Sequence, residues 1–157
     1  MPANKHTVFV YGTLKQGYGN HRLLANSEYC GPAAFVTNEH TLRDLGAFPG
    51  VVALPPRPKD DQGVYIGRLF LYKIEGELYK VTDEELKALD RLEGHPSFYT
   101  RTRTNKVMQG DKTYSKCWIY TLPSEYFDNT SELPNHCPNN RYGTVHQCWG
   151  DGNGRAA

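Results

Sequence analysis

The sequence predicts an α+β fold: a small mixed sheet, closing toward a barrel, with a few short flanking helices. Three observations lead there. Runs of β-branched and aromatic residues recur between residues 7 and 122, separated by glycine, proline and asparagine turns. A single stretch, Thr82–Gly94, carries strong start and stop signals for a helix. Strands therefore outnumber helices, and no internal repeat divides the chain, so residues 1–157 read as one domain.

Thr7-Val8-Phe9-Val10-Tyr11 is the first expected strand, and Gly12 turns the chain immediately after it. Residues 13–29 place Leu14, Leu23 and Leu24 among turn formers, which suggests a loop and then a short helix. Two strands are expected within 33–54, punctuated by Gly46 and by Pro49-Gly50. The proline-rich stretch Pro55–Gly63 is a loop. Val64–Val81 favours strands around Leu69, Leu71 and Leu78–Val81, with Gly67 and Gly76 as bends or close-approach points.

The helix follows. Thr82 and Glu85 form a capping-box pattern, Leu86 and Leu89 supply an apolar stripe, and Gly94 is the expected stop. Phe98–Val107, with alternating Thr and Arg, reads as a strand with one solvated face, and Tyr114–Leu122 as another. Beyond Pro123 the chain is rich in Asn, Pro and Gly, an atypical tail to the 7–122 core, and its last seven residues have a flexible composition.

The balance of 18 basic and 17 acidic residues, dispersed along the chain, argues against a nucleic-acid partner or an anionic membrane surface. No apolar run has the length of a bilayer span, and the amino terminus lacks a secretory core, which makes the cytoplasm the expected location. Serines without a nucleophile elbow, histidines without a His-Glu-x-x-His pattern and glycines without phosphate-loop spacing remove three further classes. Cys137 and Cys148, with His136 and His146, are open to three readings: reduced thiols, a bridge or a metal site. Reduced thiols are expected, and no metal or cofactor is assigned.

Glu93 is the candidate for acid–base chemistry. It stands seven residues after Leu86 and four after Leu89, so its carboxyl continues the inward stripe at the negative end of the helix. Burial and that helix end both disfavour the anion, raising the pKa toward the range of a general base. Two other readings stay open: Glu93 pairs with Arg101 or Arg103, or Asp90, near the same face, is the base. Tyr11-Gly12-Thr13-Leu14 either ends a strand or offers successive N–H groups to an anion. His95 is expected in a turn. Phe98-Tyr99 could wall the site, with the Tyr99 hydroxyl holding a polar substrate group.

Two segments acquire meaning together. Val8-Phe9-Val10-Tyr11-Gly12-Thr13-Leu14-Lys15 resembles the opening signature of the gamma-glutamylcyclotransferase-like superfamily. Gly17 and Asn20–Leu24 resemble its gamma-glutamylamine cyclotransferase and AIG2-like branch. Glu77–Val81 through Leu89–Gly94, then Phe98–Arg101, is similar to the family's strand, acidic helix and continuation. The resemblance implies a small mixed β-barrel with flanking helices and Glu93 as the catalytic residue. It also implies that Tyr11, Gly12, Thr13 and Leu14 bind the α-amino and α-carboxylate end of a gamma-glutamyl substrate. The implied reaction releases 5-oxoproline and a free amine without a cofactor. Lys15 points to the gamma-glutamylamine branch and to gamma-glutamyl-epsilon-lysine as substrate. The alternative is a noncatalytic small-ligand or protein-binding module on the same fold.

Overall fold

A computed structural model describes residues 6–66, 70–128, 130–132 and 144–150. The strands in chain order are β1 (His6–Val10), β2 (Glu28–Thr37), β3 (His40–Asp44), β4 (Pro49–Ala53) and β5 (Leu71–Val81). Helix α1 (Asp83–Glu93) precedes β6 (Thr100–Thr104), β7 (Val107–Gln109), β8 (Lys112–Tyr114), β9 (Cys117–Leu122), β10 (Ser131–Glu132) and β11 (Thr144–Gln147). They form one mixed sheet in the order β10-β3-β4-β9-β1-β5-β2-β7-β8, with β11 beside β5 and β6 beside β9. The sheet curls into a half-barrel flanked by α1 and short 3₁₀ turns, as expected from the sequence.

Strand β1 is central because its side chains alternate between two apolar layers. Val8 and Val10 face Leu86 and Leu89 of α1, whereas Phe9 and Tyr11 join Phe35, Ile74, Leu78 and Ile119 on the other side. Both faces are dry, so β1 reads as an unbroken apolar run. It pairs antiparallel with β5 and parallel with β9.

An edge of β9 forks. Strand β6 occupies one edge along Cys117–Thr121, leaving the other to β1 beside Trp118 and to β4 beside Thr121 and Leu122. The Tyr11 hydroxyl fills the split: it donates to the Tyr120 carbonyl at 2.7 Å and accepts from the Val51 N–H at 3.1 Å. Those buried backbone groups would otherwise lack partners at the divergence.

Helix α1 follows its sequence signals closely. Thr82 Oγ1 accepts the Glu85 N–H at 3.2 Å, and the Glu85 carboxylate accepts the Thr82 N–H at 2.8 Å. Gly94 closes the helix at φ 68°, in the left-handed region. Thr82→Ala is expected to lower unfolding free energy by about 1 kcal/mol in urea denaturation, through loss of one half of this box. A second cost is absent because Ser27 still donates to Glu85 at 2.9 Å.

Several expected boundaries move. Strand β2 starts at Glu28 rather than within 33–54, so that region holds most of three strands instead of two. A bulge at Tyr29/Gly31 hides its start, and the Gln109 amide donates to the carbonyls of Cys30 and Pro32 across it. The Phe98–Val107 strand divides because the chain leaves β9 as β6 and joins β2 as β7. Likewise Tyr114 belongs to β8, while the strand expected from it begins at Cys117. Leu71–Val81 is one continuous strand, and Gly76 is a close-approach position beneath Phe9. Gly67, Leu69, His136, Cys137 and residues 151–157 lie outside the described residues. The tail is more than an appendage, for β10 pairs with β3 and β11 with β5.

Candidate active site

Where β1 and β4 separate, a cavity of about 240 Å³ opens beside the end of α1. One wall is the turn Tyr11-Gly12-Thr13-Leu14 with Asn20. Glu93, Phe98, Tyr99 and Tyr120 also line the cavity, with Phe48, Pro49 and Leu92. Each site residue expected from the sequence therefore borders one cavity.

The turn is built by local hydrogen bonds. The Lys15 N–H donates to the Gly12 carbonyl at 3.0 Å, and the Asn20 N–H to the Thr13 carbonyl at 3.0 Å. The Asn20 amide donates to Thr13 Oγ1 at 2.8 Å, which leaves the threonine proton available. No acceptor among the described residues takes the N–H groups of Gly12, Thr13 and Leu14. They are open to an anionic ligand atom.

Gly12 is required by close packing, with no positive φ. A Cβ there would stand 2.8 Å and 2.9 Å from two carbons of the Pro49 ring. Gly12→Ala is expected to displace either the turn or Pro49. Loss of alignment should lower kcat/KM for a cavity substrate by about 10²-fold, measured by steady-state kinetics.

Glu93 is the final residue of α1. Burial lifts its carboxyl from an ordinary 4.5 to about 7. Among the described residues no cation pairs with it. Arg101 Nε instead donates to Asp90 Oδ1 at 2.8 Å, and the Arg103 guanidinium lies 4.6 Å from the Trp118 ring centroid. The arginine-pairing reading thus applies to Asp90 rather than to Glu93. Asp90 also accepts the Tyr120 hydroxyl at 2.7 Å. Its Oδ1 is thus already committed to a guanidinium and a phenol within the protein.

The tyrosines differ from a simple sequence reading. Tyr11 lines the cavity, but its hydroxyl is committed to the strand fork. Tyr99 donates its proton to the Pro49 carbonyl at 2.7 Å, leaving only oxygen lone pairs for a ligand. It packs in an aromatic group with Phe48 and Phe98, ring centroids 6.4 Å and 4.7 Å away. Phe48, Pro49 and Tyr120 were not among the expected site residues. Their placement depends on the fork between distant strands, and the Tyr120 hydroxyl gives no local motif. His95 stands in the turn after α1, where its Nδ1 accepts the Arg101 N–H at 2.9 Å.

Lys15 stands behind the turn, 7% exposed, with Nζ donating to the Trp149 carbonyl at 2.8 Å. Among the described residues no group of three or more potential ligands is arranged for a metal ion. No helix among them is long and apolar enough to cross a membrane.

Comparison with known proteins supplies the family. The family model described as "Gamma-glutamyl cyclotransferase, AIG2-like" matches residues 8–143. The gamma-glutamylaminecyclotransferase of Homo sapiens is 32% identical over 149 residues, covering 82% of this chain and 86% of that protein. The Bos taurus gamma-glutamylaminecyclotransferase is 34% identical over 121 residues, 73% of this chain, and the match spans 64% of the bovine protein. In structure, an AIG2-like protein from Mus musculus superposes with a TM-score of 0.58 at 24% identity, covering 91% of this chain and 97% of that one. The mouse structure supports the fold, and the family match rests on sequence. The chain belongs to the AIG2-like gamma-glutamyl cyclotransferase family.

Proposed function

We propose that the protein is a gamma-glutamylamine cyclotransferase that works without a cofactor, with Glu93 as its general base and acid. The observation that carries this reading is a carboxyl raised to about 7 in the same cavity as the open N–H groups of Gly12–Leu14. The turn and Thr13 hold the substrate's α-carboxylate end, and Tyr99 offers its oxygen to a polar substrate hydrogen.

Glu93 takes a proton from the substrate's α-ammonium, and the freed amine attacks the gamma-carbonyl carbon. A ring C–N bond forms and the carbonyl pair moves to oxygen, where turn N–H groups can oppose its charge. Glu93 returns its proton to the departing nitrogen as the oxygen pair re-forms the carbonyl and the gamma-amide C–N bond breaks; the ring nitrogen then gives its second proton, through Glu93, to the freed amine, which leaves as an ammonium. The products are 5-oxoproline and a free amine. Tethering supplies the effective concentration of the nucleophile, so acid–base transfer and oxyanion stabilisation are sufficient.

The aromatic and aliphatic lining residues Phe48, Leu92 and Phe98 give the alkyl stem of a leaving amine an apolar surface. This favours the amide of a primary alkylamine, with gamma-glutamyl-epsilon-lysine as the specific candidate. Gamma-glutamyl-epsilon-lysine, glutathione and gamma-glutamyl-alanine should be compared by 5-oxoproline release. The first is expected to yield product with an equal amount of lysine. Cavity occupancy without 5-oxoproline from any of them would assign a binding module instead.

The pH dependence follows from the same carboxyl. The base form of Glu93 is required, so kcat/KM should rise as pH passes through about 7 and fall about tenfold per unit on its acid side. A rate already on its plateau at pH 5 would contradict the assignment.

A further inference from the structure

Three phenols surround Glu93, and each has committed its proton elsewhere. Tyr11 donates to the Tyr120 carbonyl, Tyr99 to the Pro49 carbonyl and Tyr120 to Asp90, each at 2.7 Å. Tyr11 also receives the Val51 N–H, so its oxygen is partly occupied. Tyr99 and Tyr120 receive no hydrogen bond from a described residue. Both line the cavity with Glu93. Besides the carboxylate, these two side chains therefore offer the cavity acceptors, while its donor groups belong to the Gly12–Leu14 turn.

An acceptor-lined wall complements a group with several N–H donors, and an ammonium has three. A phenol ordinarily donates as readily as it accepts. Freed from Asp90, the Tyr120 proton would be able to turn into the cavity that Glu93 also lines, where a carboxylate accepts the stronger, charge-assisted bond. Asp90 prevents this by drawing the proton away. Asp90 is itself fixed by Arg101, whose Nε donates to the same Oδ1 at 2.8 Å and whose guanidinium lies 4.2 Å from the Trp118 ring centroid. The Arg101 side chain is 18% exposed and that of Asp90 20%, so the pair is sheltered from solvent.

We propose that the Tyr120 hydroxyl is a second acceptor, beside Glu93, for the substrate's α-ammonium, and that Asp90 is the positioning residue that keeps it one. The ammonium role rests on the cyclotransferase reading above. It goes beyond that reading by assigning work to a tyrosine on β9 and to an ion pair that does not touch the substrate. The device also keeps Glu93 without a phenolic donor, consistent with burial as the cause of its raised pKa. The charged and titratable groups facing this corner are Glu93 and Asp90 from α1, Arg101 from β6, Tyr99 from the turn, Tyr11 from the end of β1 and Tyr120 from β9.

Two readouts test it. The first is carbon-detected NMR titration of the Glu93 carboxyl in the full-length protein, which requires no turnover. Asp90→Ala releases the Tyr120 proton toward Glu93 and should lower its midpoint by about one pH unit, because a donor stabilises the anion. Adding Tyr120→Phe should restore the wild-type midpoint. No shift in Asp90→Ala would overturn the positioning role. A shift that survives in the double variant would also overturn it, by placing the cause in the released Arg101.

The second readout is calorimetric affinity in a Glu93→Gln background for gamma-glutamylmethylamide and for its deamino counterpart, N-methylglutaramic acid. Tyr120→Phe should weaken the amino compound about tenfold and leave the deamino compound unchanged. Equal effects on both, no effect on either, or no binding of the amino compound before the tyrosine is changed would overturn the ammonium role. Wild-type protein that binds the amide without releasing 5-oxoproline would defeat the cyclotransferase reading. The affinity comparison would then still judge Tyr120, and the titration Asp90.

Discussion

Glu93→Gln is expected to reduce kcat for 5-oxoproline release by about 10³-fold while changing substrate affinity only several-fold. The size follows from losing both proton transfers, since a positioned general base or acid typically contributes about 10²–10⁴-fold. Glutamine keeps the shape and an acceptor oxygen but cannot carry the proton. Stability should move in the opposite direction to activity. A carboxyl whose pKa rises from 4.5 unfolded to about 7 folded binds more protons in the native state between those values. Its contribution is fully present below 4.5 and is lost as pH rises through about 7, amounting to about 3 kcal/mol on the alkaline side. A glutamine at this position has no such dependence. The variant should therefore be more stable than wild type at pH 8, and the difference should narrow toward pH 4 in urea denaturation. An active variant with an unchanged stability profile would show that the buried carboxyl performs neither role.

Gly76→Ala should have the largest effect on folding. A Cβ at residue 76 would approach the Val10 carbonyl oxygen and stand 2.5 Å and 2.8 Å from two ring carbons of Phe9. Phe9 is fully buried, and the carbonyl belongs to the β1–β5 pair, so neither neighbour can retreat independently. Added volume in a dense core costs about 1–3 kcal/mol, and a collision with backbone belongs at or above the upper end. A loss of about 3 kcal/mol or more in urea unfolding is expected. The consequence reaches the site because this pairing delivers Tyr11 and Gly12 to the cavity. Unchanged stability would show that the strands separate without cost.

The local parts of this arrangement were legible because their causes are local. Thr82, Glu85 and Gly94 specify both ends of α1 through hydrogen bonds and backbone conformation within a few residues. The spacing of Leu86, Leu89 and Glu93 then points the carboxyl inward. Val8–Tyr11 announces a strand by its composition, and Gly12 its end. Less legible were features fixed by distant partners. Glu28–Pro32 contains glycine, cysteine and proline, yet becomes strand because β5 and the Gln109 side chain satisfy its backbone. The division at Asn105–Lys106 reflects a change of partner from β9 to β2. Tyr120 reads locally as strand core, and its polar function emerges only when Asp90 and Arg101 arrive beside it. For the same reason Asp90 and Glu93 are hard to rank by helix position, but easy to distinguish by their surroundings.

A crystal structure of Glu93→Gln bound to gamma-glutamyl-epsilon-lysine tests the central claim most directly. The substrate's α-carboxylate should accept hydrogen bonds from the Gly12–Leu14 turn, with its α-nitrogen within hydrogen-bond reach of the substituted side-chain amide and the lysine stem along Phe48 and Phe98. A gamma-glutamyl group bound outside this cavity, or one whose α-nitrogen points away from that amide, would contradict the account.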